Sequence, residues 1–146
     1  MEEIQIVLRT EEELWELFDK TLDHIMLDRL YPYARQDWQK GSLKMGNGVN
    51  LEDVEFRYLS CDLRTNLKGL KSILKLPVYG LRVFQSSKPW PSSLILNRLN
   101  EGSVDKVLAM NGVRHFFALS YEFVTIRSFD PEFIARIKHN FESCPK

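Results

Sequence analysis

The stretch from Val113 to Phe141 constrains the fold most, because a long β-like run there leads directly into a sharply bounded helix. Residues 113–129 are rich in aromatic and β-branched side chains, which suit a pleated, half-buried surface. We therefore predict a central strand or a tight strand pair. Asp130 can cap the following helix, and Pro131 fits its first turn, where a backbone N–H would be unpaired anyway. The predicted apolar stripe of this helix consists of Phe133, Ile134, Ile137 and Phe141.

The N-terminal region predicts a strand followed by a long helix with an acidic side. Ile4, Ile6 and Leu8 alternate with other residues, as in a strand. Thr10 and Glu13 match a capping box, and apolar residues at three- and four-residue spacing predict a helix continuing to about Arg29. The side left to acidic residues consists of Glu12, Glu16, Asp19, Asp23 and Asp28.

The remaining pattern predicts one α+β or α/β domain over residues 1–146. Strands are predicted at Val54–Leu63 and Val78–Phe84, and short helices at Asn66–Lys75 and after Ser103, ending at Gly112. We expect a central sheet of about four or five strands packed by about four helices. A chain of 146 residues that is 44% hydrophobic can bury such a core unaided.

Composition narrows the function classes only a little. No apolar run approaches the roughly 20 residues of a membrane span, and the acidic N-terminus is unlike a secretory signal, so we expect a cytoplasmic protein. Cys61 and Cys144 lack the spacing of a disulfide framework or zinc site. No nucleotide-binding, hydrolase or metalloprotease motif occurs. We expect no metal and no cofactor.

Two turn-rich segments are predicted contact surfaces. Residues 30–53 form a long connection without sustained periodicity, and such connections are usually functional or mobile. Pro89 and Pro91 hold Trp90 in a second stiff segment. Exposed aromatic residues in such places often anchor protein interfaces, although they can equally close over a core. The aromatic residues concerned are Tyr31, Tyr33, Trp38 and Trp90.

Charge is segregated along a chain whose formal net charge is zero. Residues 1–30 hold nine acidic and three basic residues, whereas residues 31–100 hold five acidic and eleven basic residues. A field of one sign speeds encounter with a partner and helps to select it. The basic cluster Arg64, Lys68, Lys71 and Lys75 also admits single-stranded nucleic-acid binding as an alternative. The neutral total argues against that alternative.

A small enzyme, hydrolytic or acting on nucleic acid, is the other alternative, and it depends on His115. This histidine lies on the predicted central strand, where Asp62 or Glu122 could complete a general acid/base pair if their strands are neighbours. A buried imidazole whose hydrogen bonds are satisfied within the protein explains the same residue. The structural role is the interpretation we favour.

The leading hypothesis is a non-catalytic protein-binding domain. Its predicted contact residues are Glu12, Glu16, Asp19, Asp23, Tyr31, Tyr33, Trp38 and Trp90. In length, separated charge and lack of motifs the chain resembles small bacterial binding proteins, including immunity proteins that cover a toxin. This likeness implies an inhibitor or immunity-type role toward a bacterial partner and assigns no residue. Self-association as a homodimer is a further option.

Overall fold

The computed structural model describes residues 1–29, 42–44, 50–52, 58–65, 67, 70–71, 78–89, 104–110, 112–121 and 123–143. The strands are β1 (Glu2–Val7), β2 (His24–Arg29), β3 (Ser42–Lys44), β4 (Asn50–Glu52), β5 (Tyr58–Asp62), β6 (Val78–Ser86), β7 (Val113–Tyr121) and β8 (Phe123–Ser128). The helices with described bounds are α1 (Glu11–Leu17), α2 (Val104–Leu108) and α3 (Pro131–Asn140).

Six strands form one antiparallel sheet in the order β1-β8-β7-β6-β2-β5. The mixed α+β class is confirmed, but the predicted count of four or five strands is wrong. One reason is that residues 113–128 form two strands, β7 and β8, which was the strand-pair alternative. The other reason is that β2 occupies a segment predicted to be helical.

The sheet is covered on both faces. Side chains of one face pack against α1 and α3, and those of the other face pack against α2. Neighbouring residues of one strand therefore enter different clusters: Phe117 belongs to the first and Phe116 to the second. This alternation follows from the two-residue period of a strand and explains the unbroken apolar runs.

The helix predicted to reach Arg29 ends at Leu17, so that prediction is wrong over its second half. The Asp19 side chain accepts hydrogen bonds from both the N–H and the hydroxyl of Thr21, which forms a local turn. Such short-range bonds compete with helical ones. The consecutive apolar residues 25–27 then enter β2, where they are buried on both faces of the sheet. A short apolar run fits either period, and the sheet partners decide here.

The C-terminal prediction is confirmed in detail. Asp130 caps α3, accepting at Oδ1 from the backbone N–H groups of Glu132 at 3.0 Å and Phe133 at 3.3 Å, with Pro131 in the first turn. All four predicted stripe residues are buried. The helix consequently lies with its apolar side against the sheet.

Other segments agree in part with expectation. The strand at Val78–Phe84 continues to Ser86, and β5 covers only the second half of Val54–Leu63, because residues 53–57 lie outside the described part. The predicted long connection at 30–53 contains a small antiparallel sheet of β3 and β4, so it is not wholly irregular. Gly112 has the positive φ, 96°, expected where α2 gives way to β7.

One edge of the main sheet is partly closed by the end of the chain. Past α3, the Glu142 carbonyl accepts a hydrogen bond of 2.8 Å from the Val7 N–H, and Ser143 bridges to Ile6. These contacts lie on β1, the edge strand next to β8.

None of the described helices is long and apolar enough to cross a membrane.

Candidate functional site

A groove beside α1 is lined by the described residues of two segments of the chain. Its volume is about 520 Å³, within the range of about 300–1,000 Å³ typical of ligand pockets. We call it the α1 groove; its lining residues are Glu12, Trp15, Glu16, Phe18, Lys20, Leu63, Arg64, Leu67 and Lys71. The first five come from α1 and the turn after it. The last four come from the end of β5 and the segment that follows.

The sequence fixes α1 by its cap and its apolar stripe. The Thr10 hydroxyl accepts from the Glu13 N–H at 3.1 Å, which confirms the first bond of the capping box. The Glu13 carboxylate accepts instead from the Arg9 N–H at 3.2 Å, one residue before the cap. Leu14 and Leu17 are buried in the core. The helix therefore presents its other residues, including the two groove acids, to solvent.

Arg136 of α3 holds the C-terminal end of α1 in place. Its guanidinium donates to the carbonyls of Glu16 at 2.9 Å, Leu17 at 3.3 Å and Phe18 at 3.4 Å. The last carbonyls of a helix lack intrahelical partners, and a cation also suits the negative end of the helix dipole. One side chain thus satisfies three carbonyls that α1 leaves unpaired.

The charges of the α1 groove are divided between its two walls. Glu12 and Glu16 stand on α1, and Lys20 in the turn after it pairs with Glu16, so this wall keeps a net negative charge. Arg64 and Lys71 stand on the other wall. The Lys71 ammonium lies 5.7 Å from the centre of the Trp15 ring, within cation–π range. The apolar lining, which we call the floor, consists of Trp15, Phe18, Leu63 and Leu67. Such a floor between an acidic wall and a basic wall can bind a polypeptide segment by burial and orient it by charge.

A second polar cluster lies inside the protein around His115. The imidazole Nδ1 is 2.7 Å from the Ser128 hydroxyl, and Nε2 is 2.7 Å from Asp19 Oδ2. His115 and Ser128 are directly opposed on β7 and β8, which brings them together. The buried Gln85 of β6, opposed to His115 on its other side, accepts from the Asp19 N–H and donates to the Asp19 carbonyl. Gln85 thereby holds Asp19 in position.

The proton positions in this cluster follow from its donors and acceptors. A carboxylate only accepts, so the Nε2–H donates to Asp19, and Nδ1 of the neutral ring accepts from the Ser128 hydroxyl. Burial lowers the pKa of His115 and outweighs the opposing effect of Asp19. Burial alone would raise the pKa of Asp19, but hydrogen bonds from Thr21 and His115 lower it. The pair is therefore a neutral imidazole against an anionic carboxylate.

This arrangement is best explained as structural. His115 and Ser128 are each 1% exposed, and the His115 ring stacks on Phe133 with 3.8 Å between ring centres. Asp19, His115 and Asp130 offer possible metal ligand atoms within 4.8 Å of one another. However, both imidazole nitrogens are engaged, and Asp130 caps α3. A metal ion would have to break these bonds.

The structure separates His115 from the carboxylates predicted to act with it. Asp62 lies on β5 opposite His24, and β2 and β6 stand between β5 and β7. The predicted His115–Asp62 pairing is therefore wrong, because these strands are not neighbours. Glu122 lies outside the described residues. The carboxylate that does meet His115 is Asp19, which the sequence placed on a helix.

The predicted binding residues fall into three groups. Glu12 and Glu16 line the α1 groove, whereas Asp19 contacts His115 and Asp23 lies 3.0 Å from the Arg64 guanidinium, measured from Oδ1 to Nε. Asp28 belongs to β2 and pairs in the interior with Arg82. The following lie outside the described residues: Tyr31, Tyr33, Trp38 and Trp90. Two residues of the predicted basic cluster line the groove, namely Arg64 and Lys71. The other two, Lys68 and Lys75, lie outside the described residues.

Sequence reasoning missed Trp15 and Leu67 as site residues. Trp15 contacts the core and also lines the groove. Leu67 lies within the helix predicted at Asn66–Lys75, lines the groove and is 37% exposed. A signal for Asp19 was available in the spacing Asp19-x-Thr21, which is typical of a turn that ends a helix.

Comparison with known proteins leaves the geometry as the basis for assigning a role. A scan against protein-family models, a search of curated proteins and a search of solved structures each found no match.

Proposed function

We propose that this protein is a non-catalytic protein-binding domain that receives a segment of its partner in the α1 groove. The observation that carries the proposal is the groove itself, with an apolar floor between walls of opposite charge. Half-buried Trp15 and exposed Leu67 supply apolar surface that a partner can cover. Tryptophan residues are frequent centres of binding energy at protein interfaces.

The alternative of catalysis by His115 has less support. The imidazole and the Ser128 hydroxyl are buried, and neither lines the α1 groove. A general base needs to come within hydrogen-bonding distance of a substrate proton. Here both ring nitrogens already serve bonds that join three parts of the fold. An inhibitory or immunity-type role would be one form of the proposed function, if the bound segment belongs to a bacterial enzyme.

Site-specific photo-crosslinking tests the proposal. A benzophenone amino acid replaces Leu67 in the full chain, expressed in the cell that naturally makes the protein. The control carries it at Phe129, which is 51% exposed and does not line the groove. We expect one predominant protein adduct from position 67 and none of the same mass from position 129. Identical adducts from both positions, or none from position 67, would contradict the proposal.

Charge reversal on the purified pair completes the test. Glu11 and Glu12 are exposed acids in the first turn of α1, so reversal of either one affects the helix dipole similarly. Only Glu12 lines the groove. We expect Glu12→Lys to weaken binding of the crosslinked partner at least roughly threefold relative to Glu11→Lys. Equal affinities of the two variants would count against docking at this site.

A further inference from the structure

We infer that the segment bound in the α1 groove is a short amphipathic helix with an apolar stripe, basic residues along one border and acidic residues along the other. The inference deepens the proposed function and rests on it. Three observations support it: the charges that remain available in the groove, the form of the floor, and the placement of acids and bases on separate walls.

Two groove charges have no ion-pair partner within the described part of the chain. Glu16 is paired with Lys20 at 3.2 Å, and Arg64 with Asp23 at 3.0 Å. Glu12 has no such pair, and Lys71 is engaged only with the Trp15 ring. These two charges, one acidic and one basic, are the ones most readily satisfied by a partner. They stand on opposite walls.

The floor suits apolar side chains presented in a row. Trp15 meets Phe18 edge to face with 5.8 Å between ring centres, and Leu63 and Leu67 face them from the other wall. The seven residues of α1 span about 10 Å at a rise of about 1.5 Å per residue. Two turns of a partner helix match that length. An apolar face laid into a groove of this kind is a recurrent mode of peptide recognition.

Because acidic and basic residues lie on separate walls of the groove, it disfavours partner segments whose charges all have the same sign. A segment basic on both borders gains at Glu12 but meets repulsion at Lys71, and an acidic segment meets the reverse. A nucleic-acid strand is anionic throughout and also meets the acidic wall formed by Glu12 and Glu16. A helix with one basic and one acidic border can satisfy both walls, because it can lie in either direction along the groove.

Three helical peptides of equal length test the inference. All have the same leucine and tryptophan stripe, and their borders are lysine and glutamate, lysine and lysine, or glutamate and glutamate. Affinities for the full chain are measured by calorimetry at low salt. We expect the mixed peptide to bind roughly three- to tenfold more tightly than the other two. Equal binding of the three, or stronger binding of a deoxythymidine oligonucleotide, would overturn the inference.

Charge variants of the protein identify the walls. Glu12→Lys should shift the preference to the glutamate peptide, and Lys71→Glu should shift it to the lysine peptide. The double variant E12K/K71E exchanges the two signs, so we expect it to prefer the mixed peptide again. Glu11→Lys is the matched control and should retain the original order. A double variant that fails to restore the preference refutes the assignment of the walls.

The outcomes distinguish this inference from the proposed function. If all three peptides bind equally and Leu67→Arg abolishes their binding, the groove is a docking site and the charge ordering is wrong. If no peptide binds while crosslinking at position 67 still captures a partner, the helical segment is wrong and protein binding stands. Failure of both experiments rejects both.

Discussion

His115 on β7 and Asp19 after α1 are joined by a hydrogen bond of 2.7 Å between Nε2 and Oδ2. The bond connects the end of the groove-forming helix to the middle of the sheet. Because Ser128 and Gln85 hold the same two residues from neighbouring strands, the position of α1 depends on the protonation and packing of this cluster.

Stability should depend on pH through His115. Burial lowers its pKa in the folded protein below the ordinary value of 6.5, so between these pKa values the unfolded chain binds a proton that the folded chain does not. The contribution of neutral His115 to the free energy of unfolding is fully present above about pH 6.5. It is lost as the pH falls toward the pKa of His115 in the folded protein. Urea unfolding at a series of pH values measures this loss.

An NMR titration of the His115 ring should have its midpoint below 6.5. His115→Gln should reduce the pH dependence of unfolding within the ordinary titration range of histidine, about pH 5–8. A midpoint for His115 at or above 6.5 would show that the assigned protonation is wrong.

Removing the Ser128 hydroxyl should destabilise the protein. Its Oγ accepts from the Asp130 N–H at 2.9 Å and donates to His115, so Ser128→Ala removes the partner of a buried ring nitrogen and of a half-buried N–H. We expect a loss of about 1–3 kcal/mol in the free energy of unfolding, measured by denaturant titration. The exposed Ser120 on the same hairpin is the control, and Ser120→Ala should change stability by less than about 0.5 kcal/mol. Equal effects would argue against the network.

The guanidinium of Arg136 should be required specifically, not merely its charge. Lysine cannot present several donors in a plane, so Arg136→Lys should leave some of the three carbonyls of residues 16–18 unpaired. We expect a loss of about 1–2 kcal/mol from either lysine or alanine. Lys138 on the same helix forms an exposed pair with Glu2, and Lys138→Ala should cost less than about 1 kcal/mol. Full rescue by lysine would refute the capping role.

Removing only one partner of the interior ion pair between Arg82 and Asp28 should greatly lower the free energy of unfolding. Arg82 Nε lies 2.7 Å from Asp28 Oδ2, and the Asp28 side chain is fully buried. Arg82→Met removes the cation beside a buried carboxylate and should cost about 3 kcal/mol or more. The double variant D28N/R82M should lose less, because it removes the buried carboxylate charge together with the cation beside it.

The pair of Arg127 and Asp105 serves as the control for that experiment. It lies at 2.6 Å, but Asp105 is mostly exposed, and water therefore weakens its contribution. Arg127→Met should cost less than about 1 kcal/mol by the same denaturant titration. If Arg82→Met lost no more free energy of unfolding than Arg127→Met, the burial of Asp28 would not make it more dependent on its partner.

Local signals in the sequence were sufficient where the chemistry itself is local. Asp130 and Pro131 predicted the start of α3, and Thr10 with Glu13 predicted the start of α1, because caps depend on residues within one turn. The end of α1 was missed. Residues 25–27 fit a helical stripe as well as a strand, and only pairing with β5 and β6 makes them a strand.

The candidate site was harder to predict because it joins distant parts of the chain. Glu12 and Glu16 were identified from helical spacing, but the opposite wall formed by Arg64 and Lys71 follows from sheet order. The partner of His115 was misassigned for the same reason. Asp62 seemed plausible because it ends a strand, whereas Asp19 reaches His115 only because α1 is shorter than predicted.

The closure of β1 by residues 142 and 143 has a consequence for self-association. An open strand edge is a template on which a second chain can add its own strand, and such growth leads to fibres. At Ile6 and Val7 the backbone of residues 142 and 143 already pairs with this edge. Farther along, Glu3 would lie opposite its own copy if two chains met there in antiparallel register, and like charges directly opposite each other are destabilising. Occupancy and repulsion therefore both disfavour strand addition at this edge.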